Sequence, residues 1–326
     1  MYASMPYSST RGTGRALRIA LAAGLTLLLL WWSDPVDVAR VALGADWRWL
    51  AAAIGLVTVD RGLMAWRWIV LLPPDVLRQT AIWPLLRIFF VSTFVGTFLP
   101  GSVGGDAVRA WQLSSSPNVR GAIAVASVVM DRLLGVAALI MIAGAGALAM
   151  GQVRDDPRLT LAILVTAAAA IAGTFAVLSE RVAVVALRWM GWLPEAISRG
   201  AAGVLDALRA YRARRGVVVS VLAASVLVNV LRILQAWMLG RGLSIDAPLG
   251  AYFAFVPVIL LIMLLPISIN GIGTSQAGFV FFFARAGVPE AESFALSVLY
   301  LGLGLLGNVP GGFLFATRQK AAAAGR

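Results

Sequence analysis

Leu99-Pro100-Gly101-Ser102-Val103-Gly104-Gly105 and Leu265-Pro266-Ile267-Ser268-Ile269-Asn270-Gly271 share the pattern L-P-x-S-x-x-G, and each interrupts a long apolar run. Proline removes a backbone donor and glycine admits close backbone approach, so both heptapeptides break a helix. In hydrocarbon a break leaves N–H and C=O groups without water, each costing several kcal/mol. It persists only where protein, water or substrate satisfies those groups. The helix restarting after each break presents free N–H groups and a positive dipole end, which attract anions. A single Pro or Gly is often only a packing kink; two matched breaks point to a substrate site.

The surroundings are those of a membrane protein. Of 326 residues, 60% are hydrophobic and 13% charged, with a mean hydropathy of +0.88; soluble domains run at about 45–50% apolar and 25% charged. Apolar blocks lie near 16–32, 47–72, 81–99, 119–150, 159–178, 216–239, 251–269, 272–285 and 292–316. The absence of Cys and His excludes disulfides, thiol nucleophiles, Cys/His metal sites and histidine relays. No metal, cofactor or catalytic residue is expected. The net charge of +12 is carried mostly by arginines in short loops between apolar blocks. That distribution suits cytoplasmic loops, not nucleic acid.

Loop charge sets the topology. Segments 1–15, 179–215 and 317–326 are basic and read as cytoplasmic, whereas 33–46, with Asp34, Asp37 and Asp46, reads as external. The run 16–32 ends in Trp31-Trp32-Ser33-Asp34 with no small-residue cleavage site, and reads as an uncleaved first span. Alternating the blocks then leaves 81–118 entering and leaving from the cytoplasm and 251–285 doing so from outside. The predicted fold is all-α and polytopic: about six full spans plus two re-entrant hairpins, in inverted repeats covering 16–178 and 216–316. Arg61-x-x-x-Ala65-Trp66 matching Arg232-x-x-x-Ala236-Trp237 supports the repeat, as does, weakly, Ala126-Ser127-Val128 with Leu296-Ser297-Val298. The segment between the repeats reads either as an amphipathic helix on anionic lipids at the cytoplasmic face or as a plain helical linker.

Charges inside apolar blocks mark the candidate site. Asp60, Arg61 and Arg67 lie in the second span, Asp106 and Arg109 after the first break, Asp131 and Arg132 in 119–150, and Arg232, after Asn229, in 216–239. A mid-bilayer charge costs at least about 2.5–3.5 kcal/mol, so these must pair or line a cavity. Two readings stand. In one, aspartates neutralise arginines internally, Asp106 or Asp131 against Arg61 or Arg132. In the other, surplus arginines hold an anionic headgroup. Arg67 and Arg109, nearer segment ends, also suit snorkelling to the interface. The substrate-binding candidates are Arg61, Asp131, Arg132 and Arg232, with Pro100, Ser102, Gly104, Gly105, Asp106 and Arg109 at the first break. Pro266, Ser268, Asn270, Gly271, Gly273 and Gln276 join them at the second. Asp106 and Asp131 are also candidates for acid–base or proton-coupling work. The glycines of 302–312 are assigned to close helix packing, and Gly104-Gly105 lacks the lysine and preceding strand of a nucleotide loop.

The stretch 94–111, F-V-G-T-F-L-P-G-S-V-G-G-D-A-V-R-A-W, closely resembles the first signature of the flippase-like family, the transmembrane region of lysylphosphatidylglycerol synthases and their stand-alone relatives. Asp131-Arg132-Leu133-Leu134-Gly135 resembles its next element, Pro266-Ile267-Ser268-Ile269-Asn270-Gly271-Ile272-Gly273 its second signature, and Ala65-Trp66-Arg67-Trp68 its Arg-Trp-rich second span. The resemblance implies a flippase-like protein of the inner membrane that moves a lipid with an anionic or modified headgroup between leaflets. Phospholipid, polyprenyl-phosphate and hopanoid-type lipids all fit. It also leaves open homo-oligomers, an intramembrane enzyme or glycosyltransferase partner acting on polyprenyl-phosphate lipids, and a small-anion transporter. One position departs from the pattern: Gln276 follows Gly273-Thr274-Ser275 where the family signature ends in Gly-x-x-Glu.

Overall fold

The computed structural model describes residues 43–99, 103–116, 119–149, 157–176, 179, 195–265, 268 and 271–324. The expected first span at 16–32, and Pro100, Ser102, Pro266 and Asn270 among the candidates, lie outside the described residues. All regular structure among the described residues is helical: α1 (Trp47–Leu71), α2 (Pro74–Gln79), α3 (Ile82–Thr97), α4 (Val103–Ser114), α5 (Gly121–Leu148), α6 (Pro157–Ala176), α7 (Glu195–Arg209), α8 (Arg215–Gly242), α9 (Leu249–Leu264), α10 (Thr274–Phe283) and α11 (Glu290–Ala324). Four stretches are long and apolar enough to cross a membrane: Trp47–Leu71, Gly121–Leu148, Ile197–Gly242 and Glu290–Ala316. Shorter apolar helices, Ile82–Thr97, Thr160–Thr174 and Leu249–Leu264, lie among them. The chain is a multi-pass membrane protein.

The two halves interlock through α1 and α8. They run antiparallel: the Asp46 amide, just before α1, donates to the Gly242 carbonyl at the end of α8 (2.8 Å). At the opposite end Arg214 donates to the carbonyls of Val70, Leu71 and Leu72 (3.0, 3.0 and 3.1 Å), and the Tyr211 hydroxyl donates to Leu71 (2.8 Å). These carbonyls have no partner within α1, and a cation there also suits the helix dipole.

The broken blocks become paired helices. Leg α3 packs along α4, and α9 along α10. Glycine sets the first approach: a Cβ on Gly96 would lie 2.6 Å from the Gly105 Cα, and one on Gly105 3.0 Å from the Ser92 carbonyl. The contacts between halves are reciprocal. Leg α3 packs on α11, and α9 on α5; α4 flanks α5 as α10 flanks α11. In each crossing a glycine of the long helix meets a phenylalanine carbonyl of the leg, Gly311 against Phe90 and Gly146 against Phe253. A side chain at either position strikes backbone, which cannot rotate away. Gly311→Val is therefore expected to destabilise the protein by about 3 kcal/mol or more, read as a lower melting temperature, while Gly302→Val, with open space around it, leaves that temperature nearly unchanged.

Of the assigned packing glycines, Gly307, Gly311 and Gly312 make close approaches, and Gly302 and Gly304 do not. The described part of the segment between the halves, α7, packs on α5, with Leu208 buried beside Leu71, Met130 and Leu134. Its buried face is thus turned to protein, while Ile197 remains exposed.

Candidate functional site

Where α1, α3, α4, α5, α8, α9 and α11 meet, they line a cavity of about 340 Å³. Among the described residues its wall carries five arginines (Arg61, Arg67, Arg109, Arg132, Arg232) and three aspartates (Asp60, Asp106, Asp131). The formal balance is an excess of two positive charges; of these groups Asp60, Arg67, Arg109 and Asp131 are buried, where charge is felt strongly.

Three carboxylates organise the cations. Asp60, 1% exposed, holds Arg61 Nη1 at 3.2 Å and Arg232 Nε at 3.3 Å. The two arginines matched in the repeat thus converge on one carboxylate, and both also reach the Met64 sulfur, at 3.4 and 2.9 Å. Arg61 Nη2 donates to the Gly304 carbonyl (3.1 Å), tying α1 to α11. Asp131 holds Arg67 at 2.7 Å and Arg109 at 3.7 Å. Arg67 also donates to Ser225 Oγ (3.0 Å), and Arg109 to Ser92 Oγ (3.2 Å). The Arg109 guanidinium lies 4.6 Å from the Phe89 ring centre and 5.5 Å from that of Trp68, within cation–π range. Asp106, in the first turn of α4, pairs with Arg132 of α5. Arg132 is a third exposed, the most accessible of these paired side chains.

The first of the two sequence readings is seen directly: each of the three cavity aspartates is paired with arginine, and the arginines lining the cavity outnumber them by two. Arg67 and Arg109 do not snorkel. Both are buried, because Arg214 and Tyr211 cover the end of α1 and α4 folds back on α3. Sequence reasoning left Asp60 and Arg67 outside the site; their membrane-embedded charge was the available signal. Six of the cavity's neutral polar groups, Thr93, Thr97, Asn229, Gln235, Tyr300 and Asn308, lie in apolar helices, and of these six the sequence singles out only Asn229, beside Arg232.

Of the candidates, Arg61, Gly105, Asp106, Arg109, Asp131, Arg132, Arg232 and Ser268 line the cavity. Gly104, Gly271, Gly273 and Gln276 do not. Gly104 packs on Leu99 and Gly271, at φ +79°, on Met263. Gln276 serves as a cap: its Oε1 accepts from the Gly273 amide (2.7 Å) and the Ser275 hydroxyl (3.1 Å). The Ser275 amide is taken by the Gly271 carbonyl (2.8 Å), and Ser268 Oγ meets Thr274 Oγ1 at 2.9 Å. The expectation that the second break aims free N–H groups at an anion is therefore corrected. The Gly273 and Ser275 amides are held locally, no residue of α10 lines the cavity, and the positive charge there comes from guanidiniums.

The family model described as "Lysylphosphatidylglycerol synthase TM region" matches residues 16–311. No curated protein and no solved structure matches the chain.

Proposed function

The chain belongs to the lysylphosphatidylglycerol synthase transmembrane-region family, and on that premise we propose that it moves a lipid with an anionic, phosphate-bearing headgroup between leaflets by alternating access. The observation that carries this reading is the cavity with five arginines against three aspartates. Guanidinium forks match phosphate geometry, and a surplus of buried cation is costly unless an anion visits it. The cavity is walled by membrane helices whose outer faces expose large apolar side chains such as Ile54, Leu227 and Phe313, so its occupant comes from the bilayer.

The two halves act as inverted repeats, with six spans, cytoplasmic termini and an inner-membrane location. The reciprocal packing of α3 on α11 and α9 on α5 supports this, as do the paired Gly311–Phe90 and Gly146–Phe253 approaches. The weak serine match supports it too: Ser127 and Ser297 are both buried and donate to the carbonyl three residues earlier (2.8 and 2.6 Å). Asp60, shared by Arg61 and Arg232, lies at the seam between halves, where rocking would trade carboxylate contacts for phosphate. No chemical step is involved. All three cavity aspartates are held by arginines, which favours binding over base catalysis.

The test is reconstitution in liposomes with headgroup-labelled phosphatidylglycerol and a membrane-impermeant quencher. Wild type speeds movement between leaflets; Arg132→Ala and Asp106→Ala return it to the protein-free rate while remaining monodisperse. Normal movement by both variants would sink the site assignment, and a change in lipid mass would favour an enzyme.

A further inference from the structure

Two neutral side chains in the cavity wall carry polar atoms that nothing in the protein satisfies. Asn308, in α11, donates through Nδ2 to Thr97 Oγ1 (2.9 Å). The Thr97 hydroxyl in turn gives its one proton to the Thr93 carbonyl (3.2 Å), so it must accept from Asn308. That fixes the amide's orientation: nitrogen toward Thr97, Oδ1 away from it. Asn308 Oδ1 is buried without a partner, and so is Gln235 Nε2, on α8 one turn beyond Arg232. The two residues are 8% and 4% exposed, and both line the cavity. Buried polar atoms are rarely left unpaired, and such exceptions call for an explanation.

We infer that Asn308 and Gln235 form an uncharged subsite that selects a phosphodiester headgroup bearing a free hydroxyl. This rests on the anionic-lipid reading above and narrows its substrate class. The cavity lacks one donor, for Asn308, and one acceptor, for Gln235. A bare phosphodiester brings acceptors only and leaves Asn308 unmet. A headgroup bearing an ammonium could donate to Asn308 and accept from Gln235 through its phosphate, but it adds a cation where positive charge is already in excess by two. The headgroup hydroxyls donate to Asn308 and accept from Gln235, while the phosphate engages the arginines. A polyol phosphodiester, such as a glycerol or sugar headgroup, meets all three demands. The cavity, at about 340 Å³, is within the range of small-ligand sites.

The test uses purified full-length protein in detergent with two lipids of equal charge and acyl chains, phosphatidylglycerol and phosphatidylethanol, which differ in headgroup hydroxyls. Wild type binds phosphatidylglycerol about tenfold more tightly. Asn308→Leu and Gln235→Met each bring that ratio to near one. Gln235→Met, which replaces an unpartnered amide by an apolar chain of similar shape, melts no lower than wild type; a large drop would mark Gln235 as structural and overturn its role. Equal binding of the two lipids by wild type, or an undiminished ratio in both variants, overturns the subsite and leaves the anionic-lipid reading standing. Binding of neither lipid overturns both, as does glycerol 3-phosphate binding as tightly as phosphatidylglycerol, which marks a soluble-anion site.

Discussion

Asp60→Ala lowers the melting temperature of the detergent-solubilised protein by about 10 °C, the consequence of losing about 3–5 kcal/mol. The carboxylate is 1% exposed and serves two guanidiniums, at 3.2 and 3.3 Å. Without it, Arg61 and Arg232 face each other across the Met64 sulfur, two cations with poor access to water. Removing one partner of a buried pair strands the other, and here it strands two. The contrast is Asp206→Ala. Its pair with Arg209, at 3.0 Å, has the carboxylate side chain 68% exposed. Exposed pairs contribute about 0–1 kcal/mol, so that variant melts close to wild type. The cavity reading adds a second expectation. Phosphatidylglycerol recovers more stability in Asp60→Ala than in wild type, because its phosphate can occupy the vacated place between the two guanidiniums. Equal melting of Asp60→Ala and Asp206→Ala would show that the Asp60 pairs contribute nothing to the folded state.

How far the sequence led depended on how far each signal reached along the chain. Broken apolar runs are local, and α3/α4 and α9/α10 were readable from the prolines and glycines between them. Charge inside apolar blocks is also local, so most cavity arginines and aspartates were legible. Pairing was not. Arg67 looked like an interfacial arginine because α1 ends four residues later. Its burial depends on Tyr211 and Arg214, about 140 residues away, closing that end. Asn308 and Gln235 are single amides in apolar helices, and no periodicity distinguishes a cavity-facing amide from one that caps a turn. Gln276 shows the converse. Its place in a recognisable signature suggested ligand contact, but its carbonyl oxygen closes the start of α10. Among the glycines of 302–312, composition suggested close packing in general, and only the neighbours of Phe90, Phe94 and Arg61 show which three are needed.

Asp131→Asn separates stability from function at the other end of the cavity. The substitution keeps shape and removes charge, leaving Arg67 and Arg109 without the carboxylate they share at 2.7 and 3.7 Å. All three side chains are at least nine-tenths buried, so the expected loss is again about 3–5 kcal/mol. Its location differs from that of Asp60→Ala. Asp131 belongs to α5, Arg67 to α1 and Arg109 to α4, so this carboxylate holds the α4 leg against the two spans. Amide exchange in 103–114 should therefore quicken in Asp131→Asn and stay near wild type in Asp60→Ala, since Asp60 ties α1 to α8. A compensated variant then isolates the charge. Replacing Arg67, Asp131 and Arg109 together by Met, Leu and Met removes every stranded cation. Apolar replacement of a buried ionic cluster is often neutral or stabilising, so the triple variant should melt well above Asp131→Asn and restore slow exchange in α4. Movement of phosphatidylglycerol in liposomes should stay at the protein-free rate, because the cavity has lost two of its five arginines and its excess of positive charge falls from two to one. Transport by a stable triple variant would mean that these charges only hold the hairpin, and would move the headgroup site to Asp60, Arg61, Arg132 and Arg232 alone.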